Sequence, residues 1–318
     1  MTVINTNTAS LVARDAIQRN DRAMSQAMER LSTGSRINSA KDDAAGLAIS
    51  ERMGAQVSGL NMAVRNANDA ISLLQTVDGA AQEISNMLNR MYELAVQAAS
   101  GTYTSTDRTA LDLEFGELMK EIQEIAERTE WNGTSIMDDT YDDTTNALKV
   151  QLGAEANQTM AIRIKDWRPT ISKDGEMASA TDTDYNGIDS ADSAYNLAGT
   201  ANGTEAGLYF NAGAEDTERL VITSAATAAI AVKNLNNAID GAARERAQYG
   251  AYISRLQHAA DNLQNVATNT AASKSQISDA DYAAETTELA RTQIISQAST
   301  AMLAQANQVK QTVLSLLQ

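Results

Sequence analysis

Residues 292–318 read TQIISQASTAMLAQANQVKQTVLSLLQ, and Lys310 is the only charged side chain in this stretch. The opposite end, MTVINTNTASLVA at residues 1–13, has no charged side chain, although the whole chain has a formal charge of -16. Charged residues normally cover any helix face that meets water, so ends without them are expected to be surrounded by protein. The sequence therefore predicts a subunit whose two ends are buried among its own copies.

An apolar heptad repeat runs through both ends. It consists of Ile17, Met24 and Leu31 near the N-terminus and of Ile295, Met302, Val309 and Leu316 near the C-terminus. Residues repeated every seven positions form the contact seam of a coiled coil, so two terminal helices that pair are expected. A membrane span is the alternative, but the six Gln residues from Gln293 to Gln318 make lipid an unfavourable solvent. No membrane insertion is expected.

The rest of the chain shows helical periodicity on both sides of an irregular middle. A long helix is expected at residues 44–100, with a seam formed by Leu60, Ala67, Leu74, Ala81, Leu88 and Ala95. A third helix ends before Trp131, and a fourth begins at about residue 225. Alternating apolar residues predict a β-hairpin at about 147–165, and residues 170–219 have no sustained period. The predicted fold is mainly α: long antiparallel coiled-coil helices from both chain ends form a rod, which carries the hairpin and a small exposed irregular or β insertion.

Composition argues against catalysis and against nucleic acid binding. The chain has no cysteine and one histidine, His258, so a zinc site would lack a plausible ligand set. It contains none of the common nucleotide-binding, metalloprotease or serine-hydrolase motifs. Residues 138–218 hold 16 acidic and 5 basic side chains, whereas nucleic acid binding needs a basic surface. A protein without enzymatic activity and without a cofactor is expected.

One acidic motif in the middle of the chain could bind calcium. Asp182, Asp184, Asn186 and Asp189 follow the alternating oxygen ligands that open a calcium loop. The twelfth position of such a loop should be a bidentate Glu, but here it is Ser193. An acidic turn explains the motif better, so calcium binding is only a weak hypothesis and no metal is expected.

Several long motifs resemble bacterial flagellin. They are LSTGSRINSAKDDAAGLAI at residues 31–49, RNANDAISLLQTVDGA at 65–80, ELAVQAASGT at 93–102 and ISDADYAAETTELARTQIISQASTAMLAQANQ at 277–308. The resemblance covers about 1–165 and 222–318, and it leaves out the acidic insertion. It implies a structural subunit that self-assembles into the filament used for swimming. The alternative is a hook–filament junction protein, which has similar ends.

The resemblance also implies a layered organisation. Residues 1–43 and 278–318 would form an inner coiled-coil layer. The terminal helix alone buries too few large apolar side chains to offset the entropy cost of ordering it, so both ends are expected to stay disordered until assembly. Residues 44–169 and 220–277 would form the rod-like helical layer, and 170–219 a short variable surface insertion.

The implied partners and location follow from the same resemblance. The chain would bind its own copies, the flagellar export apparatus with its type III route, an export chaperone, and the filament cap and hook-junction proteins. That route would place it in the extracellular flagellum without a cleaved signal. Flagellins of this type are also recognised by toll-like receptor five of animal hosts, and the matching positions here are Arg90, Leu94, Gln97 and Glu114.

Overall fold

A computed structural model describes residues 8–138, 141, 146–169, 209–211 and 217–315. Five helices dominate this part of the chain: α1 (Thr8–Thr33), α2 (Ala44–Ala99), α3 (Ser105–Arg128), α4 (Ala225–Ser278) and α5 (Tyr282–Ser315). The prediction of a mainly α fold with long helices at both ends is confirmed. The proposed calcium ligands Asp182, Asp184, Asn186 and Asp189 lie outside the described residues.

The strands form short antiparallel pairs. Strand β3 (Leu148–Gln151) pairs with β4 (Thr159–Ile162), with Leu148 opposite Ile162, and this confirms the predicted hairpin. Strand β1 (Glu130–Trp131) pairs with β2 (Thr134–Ser135) through a two-residue turn. The turn residues Asn132 and Gly133 have φ of 51° and 77°, which is the backbone conformation that an Asn-Gly hairpin turn requires. Strand β5 (Tyr209–Asn211) pairs with β6 (Thr217–Arg219).

Local signals fix the helix ends. Gly34 follows α1 with φ of 70°, and its N–H donates to the carbonyl oxygen of Arg30 at 2.9 Å. This left-handed residue closes the helix at a position where a side chain would be strained. Helix α3 begins with a capping box in which the Thr104 side chain accepts from the Asp107 N–H and the Asp107 side chain accepts from the Thr104 N–H.

The chain divides into two compact units. One contains residues 1–58 and 266–318, and the other contains residues 59–265. The predicted division into three layers, with boundaries at 43 and 278, stays a prediction.

The unit at 59–265 has a dense apolar core. All six predicted seam residues of the long helix α2 are buried in this unit. Five of them, from Ala67 to Ala95, belong to one core cluster with large side chains of α3, α4 and the hairpin, among them Phe115, Ile122, Ile162, Leu235 and Leu256. Arg246 interrupts the apolar seam of α4, and its Nε donates to Asp78 Oδ1 of α2 at 2.9 Å.

The segment after β4 is anchored to α4 by a buried aromatic pair. Trp167 and Tyr249 are both fully buried, and Trp167 Nε1 donates to the Tyr249 hydroxyl at 3.0 Å. The next residue, Arg168, forms a 2.8 Å ion pair with Asp166. Burial raises the pKa of Asp166, while the Arg168 guanidinium opposes that rise. The chain is therefore held in place up to Arg168.

Candidate self-assembly surface

The two terminal helices α1 and α5 pack against each other in antiparallel orientation. Near the middle of the pair, Asn20 Nδ2 donates to the Thr292 carbonyl oxygen at 2.7 Å. Closer to the end of α1, Arg30 Nη1 donates to Glu285 Oε1 at 3.0 Å, with 27% and 13% of the two side chains exposed. The first contact joins residues that are 272 positions apart in the sequence, and the second joins residues that are 255 positions apart.

Main-chain bonds tie the end of α1 to the break between α4 and α5. Ser35 and Asp279 form an antiparallel bridge. The Arg36 N–H donates to the Ser278 carbonyl oxygen at 2.7 Å, and the Ala280 N–H donates to the Gly34 carbonyl oxygen at 2.9 Å. Because both helices are fixed at this bridge, α1 and α5 leave it side by side.

Few side chains are buried between the terminal helices. Among the described side chains of α1 and α5, only Asn20, Ala27 and Thr292 are buried. Only one of these three is apolar. Because only one apolar side chain is fully buried here, this pair gains less stability from its own packing than a pair of helices with a fully buried apolar seam.

The predicted seam residues lie beside this centre. Ile17, Met24 and Leu31 on α1 are half-buried, as is Ile295 on α5, but 66% of Met302 is exposed. The side chain of Val309 and the whole of Leu316 lie outside the described residues.

The half-buried face of α5 explains why Met302 is exposed. That face continues from Thr292 through Ser299 and Leu303, so Ile295 and Met302 fall on its flank. Sequence reasoning missed the centre of the contact because it followed large apolar residues, whereas Asn20 and Ala27 are small. Their spacing of seven on α1 was the signal that could have revealed it.

The outer surface of the pair carries large exposed apolar side chains. The exposed fraction is 54% for Leu11, 70% for Val12, 66% for Ile294 and 66% for Met302. A groove of about 580 Å³ between α1 and α5 is lined by uncharged residues, including Val12, Ala16 and Met302. An uncharged apolar surface of this kind is typical of a protein–protein contact.

The four predicted receptor residues form one region of α2 and α3, but they are not equally accessible. Arg90 donates to Glu114 Oε1 through Nε at 2.9 Å and Nη2 at 2.8 Å, and to Glu93 Oε2 through Nη1 at 3.0 Å. The hydrogen bonds that Arg90 donates to Glu114, and secondly to Glu93, raise the pKa of Arg90. Gln97 is half-buried and donates to the Tyr103 hydroxyl at 3.0 Å. Leu94 is buried, with 1% exposed, and therefore lies beneath the charged surface.

Within the described ranges, no three His, Cys, Asp or Glu side chains are grouped so that they could hold a metal ion. The same part of the chain has no helix with the length and hydropathy needed to span a membrane.

Comparisons with known proteins match both terminal parts of the chain to one protein family. The family description "Bacterial flagellin N-terminal helical region" matches residues 4–142, and "Bacterial flagellin C-terminal helical region" matches residues 232–317. Polar flagellin F of Vibrio parahaemolyticus is 36% identical over 377 aligned residues, which cover 99% of each chain. The chain belongs to the bacterial flagellin family. Flagellin D of Vibrio cholerae is 34% identical over 376 residues, again with 99% of both chains covered.

Among solved structures, the crystal structure of Bacillus cereus flagellin matches at 31% identity with a TM-score of 0.43. The match covers 66% of this chain and 94% of that flagellin. The predicted function is confirmed: this flagellin is a structural subunit of the bacterial flagellar filament. The hook–filament junction alternative receives no support.

Proposed function

We propose that α1 and α5 are the assembly elements of this flagellin and that they become stably ordered only against neighbouring copies. The sparse burial between them carries the proposal. Among the described side chains of the two helices only three are buried, one of them apolar, and the large apolar residues are half-buried or exposed, so the pair is marginal by itself. Residues 1–43 and 278–318 then form the inner layer of the filament. Residues 44–169 and 220–277 form the rod-like layer, and 170–219 lie at the outer surface.

Two physical advantages support delayed ordering. A terminus that folds only on contact with other copies links the free energy of folding to the free energy of assembly. Disordered termini also present no fixed apolar docking surface, so free subunits do not polymerise before they reach the growing end of the filament. We expect Ile17, Met24, Leu31, Ile295, Met302, Val309 and Leu316 to contact neighbouring subunits in the filament.

Limited digestion with trypsin tests the proposal. We expect rapid cleavage of free subunits after Arg14 and Arg291, in the two terminal helices, and slow cleavage at both sites in filaments. Lys120 is a suitable control, because it lies on α3 of the densely packed unit with 72% of its side chain exposed. Cleavage after Lys120 should be slow in both forms. Equal resistance of the termini in free subunits and filaments would refute delayed ordering.

The proposal includes export by the flagellar type III apparatus with an export chaperone, and assembly beneath the filament cap onto the hook-junction proteins. The filament is then extracellular. The export route can be tested in a strain that lacks its own flagellin. The intact chain should be exported by this strain, and export should be lost when the type III apparatus is disabled. The same account gives the subunit no catalytic activity, since its work is packing between copies.

Recognition by toll-like receptor five is a second candidate role. The exposed Arg90 and Glu114 pair supports it, with Gln97 at the border and Leu94 shaping the surface from below. We expect Arg90→Ala to lower receptor signalling in reporter cells. Arg128→Ala is the control, because Arg128 forms an exposed ion pair with Glu124 elsewhere on α3. Equal signalling by both variants and the unaltered flagellin would exclude Arg90 as a receptor contact.

A further inference from the structure

Met302 is the most exposed methionine among the described residues. Its exposed fraction of 66% exceeds 50% for Met28 and 49% for Met62. The core methionines Met91 and Met119 are 0% and 3% exposed. The thioether of Met302 is thus open to small oxidants in the free subunit, whereas the core thioethers are shielded.

Met302 lies in a largely apolar groove. It lines the groove between α1 and α5 together with Val12, Ala16, Ile295 and Ala298. Among the described residues, none of those that line this groove is ionisable, and only Thr8 and Ser299 bring side-chain hydroxyls to it. A neutral thioether suits such a groove when another subunit covers it, while a sulfoxide oxygen would lose its hydration there.

We propose that Met302 is an oxidation site that controls entry of the subunit into the filament. The inference rests on the proposed role of α1 and α5 in assembly. Peroxide transfers one oxygen atom to the Met302 sulfur: an S–O bond forms, the O–O bond breaks, the thioether is oxidised by two electrons, and the peroxide is reduced to water. The product is a polar, chiral sulfoxide on the assembly surface.

Oxidation acts before assembly and not after it. In the free subunit Met302 is accessible, so the modified subunit must bury a sulfoxide to join the polymer. In the finished filament a neighbouring copy covers the groove and protects the sulfur. The modification therefore excludes damaged subunits at the growing end and leaves existing filaments intact.

The test compares free subunits before and after brief treatment with dilute hydrogen peroxide. The modified positions are identified by peptide mass spectrometry, and the critical concentration of polymerisation is measured by sedimentation. We expect Met302 to be oxidised ahead of Met91 and Met119. We also expect the critical concentration to rise about tenfold, since the sulfoxide is desolvated on assembly. In filaments treated in the same way, Met302 should stay reduced.

Two variants isolate the site. Met302→Leu should polymerise equally well before and after treatment, because leucine has similar volume and no oxidisable sulfur. Met62→Leu is the matched control, since it removes a methionine from α2 in the other unit and should stay as sensitive as the unaltered chain. Should Met302→Leu itself fail to assemble, treatment of the oxidised unaltered chain with a methionine sulfoxide reductase should restore its original critical concentration.

The proposal is overturned if oxidised Met302 leaves the critical concentration unchanged, if Met302→Leu is as sensitive to peroxide as the unaltered chain, or if reduction of the sulfoxide restores nothing. In each of these cases the untreated chain still forms filaments, so the assembly role of α1 and α5 stands. If the assembly role of α1 and α5 is wrong, these helices will be no better protected from protease in untreated filaments than in free subunits.

Discussion

Exchanging the charges of Arg30 and Glu285 tests whether the contact between α1 and α5 stabilises the filament or the free subunit. The two residues lie on different terminal helices, and their single hydrogen bond is 3.0 Å long. We consider three variants: Arg30→Glu, Glu285→Arg and the double exchange. Each single change places like charges opposite each other, and the double change restores the pair with its polarity reversed.

The geometry sets the size of the effect. Both side chains are less than a third exposed, so the pair is worth more than a fully solvated one. Among the described residues, however, Arg30 Nε is buried without a hydrogen-bond partner, so the pair falls short of the bidentate geometry that gives the strongest pairs. We therefore expect each single reversal to cost about 1 to 3 kcal/mol, which corresponds to about a 5- to 150-fold rise in critical concentration.

The assay measures two quantities for each variant. Sedimentation of polymer gives the critical concentration, and thermal unfolding of the free subunit gives its Tm. Single reversals should raise the critical concentration and leave the Tm of the free subunit unchanged, because α1 and α5 contribute little to the free fold. The double exchange should recover most of the loss. Lys120→Glu on α3 is the control, since the exposed Lys120–Glu117 pair contributes little.

Two results would refute this reasoning. The first is a fall in the Tm of the free subunit that corresponds to the same free energy as the rise in critical concentration. The terminal helices would then already be folded together before assembly. If neither quantity changes, the contact between Arg30 and Glu285 has no role in either state.

Further predictions concern the densely packed unit. Tyr249→Phe removes the acceptor of the buried Trp167 Nε1–H and should destabilise the free subunit by about 1 to 3 kcal/mol in urea unfolding followed by tryptophan fluorescence. Tyr252→Phe should cost less, because that hydroxyl accepts from Gln248 on the same helix at a half-buried position; equal losses would contradict the assigned anchor. Thr104→Ala should cost about 1 kcal/mol through loss of the α3 cap. The Thr104 hydrogen bonds lower the pKa of Asp107, so this carboxylate stabilises the fold above its ordinary pKa and the benefit disappears as the pH falls through the lowered value. The Thr104 variant should therefore show a higher Asp107 pKa by NMR titration and a stability deficit that shrinks in acid; an unchanged pKa would contradict the capping box.

Periodicity was sufficient to predict the helices that contain large apolar side chains. The seam from Leu60 to Ala95 on α2 is buried throughout because a long helix with a strong stripe has one stable way to bury it. The β3–β4 hairpin was also predictable, since alternation and a turn-rich connection act over a short stretch of chain. Strands β1 and β2 have two residues each, which is too short for an alternating apolar pattern.

The contact between the terminal helices was harder to predict. Its centre is made by Asn20, Ala27 and Thr292, whose side chains carry no strong hydrophobic signal. The bridge from Ser35 to Asp279 uses main-chain groups, which are common to every residue. The heptad repeats predicted that the two terminal helices pair, but they did not predict which residues meet, because that depends on the folded backbone.

The most direct test of delayed ordering is hydrogen exchange measured by mass spectrometry on free subunits and on filaments made from the same preparation. The account predicts fast exchange across Thr8–Thr33 and Tyr282–Ser315 in the free subunit and strong protection of both segments in the filament, while core amides of α2 and α3 are protected in both forms. Strong protection of both terminal segments in the free subunit, or fast exchange of these segments in the filament, would contradict it.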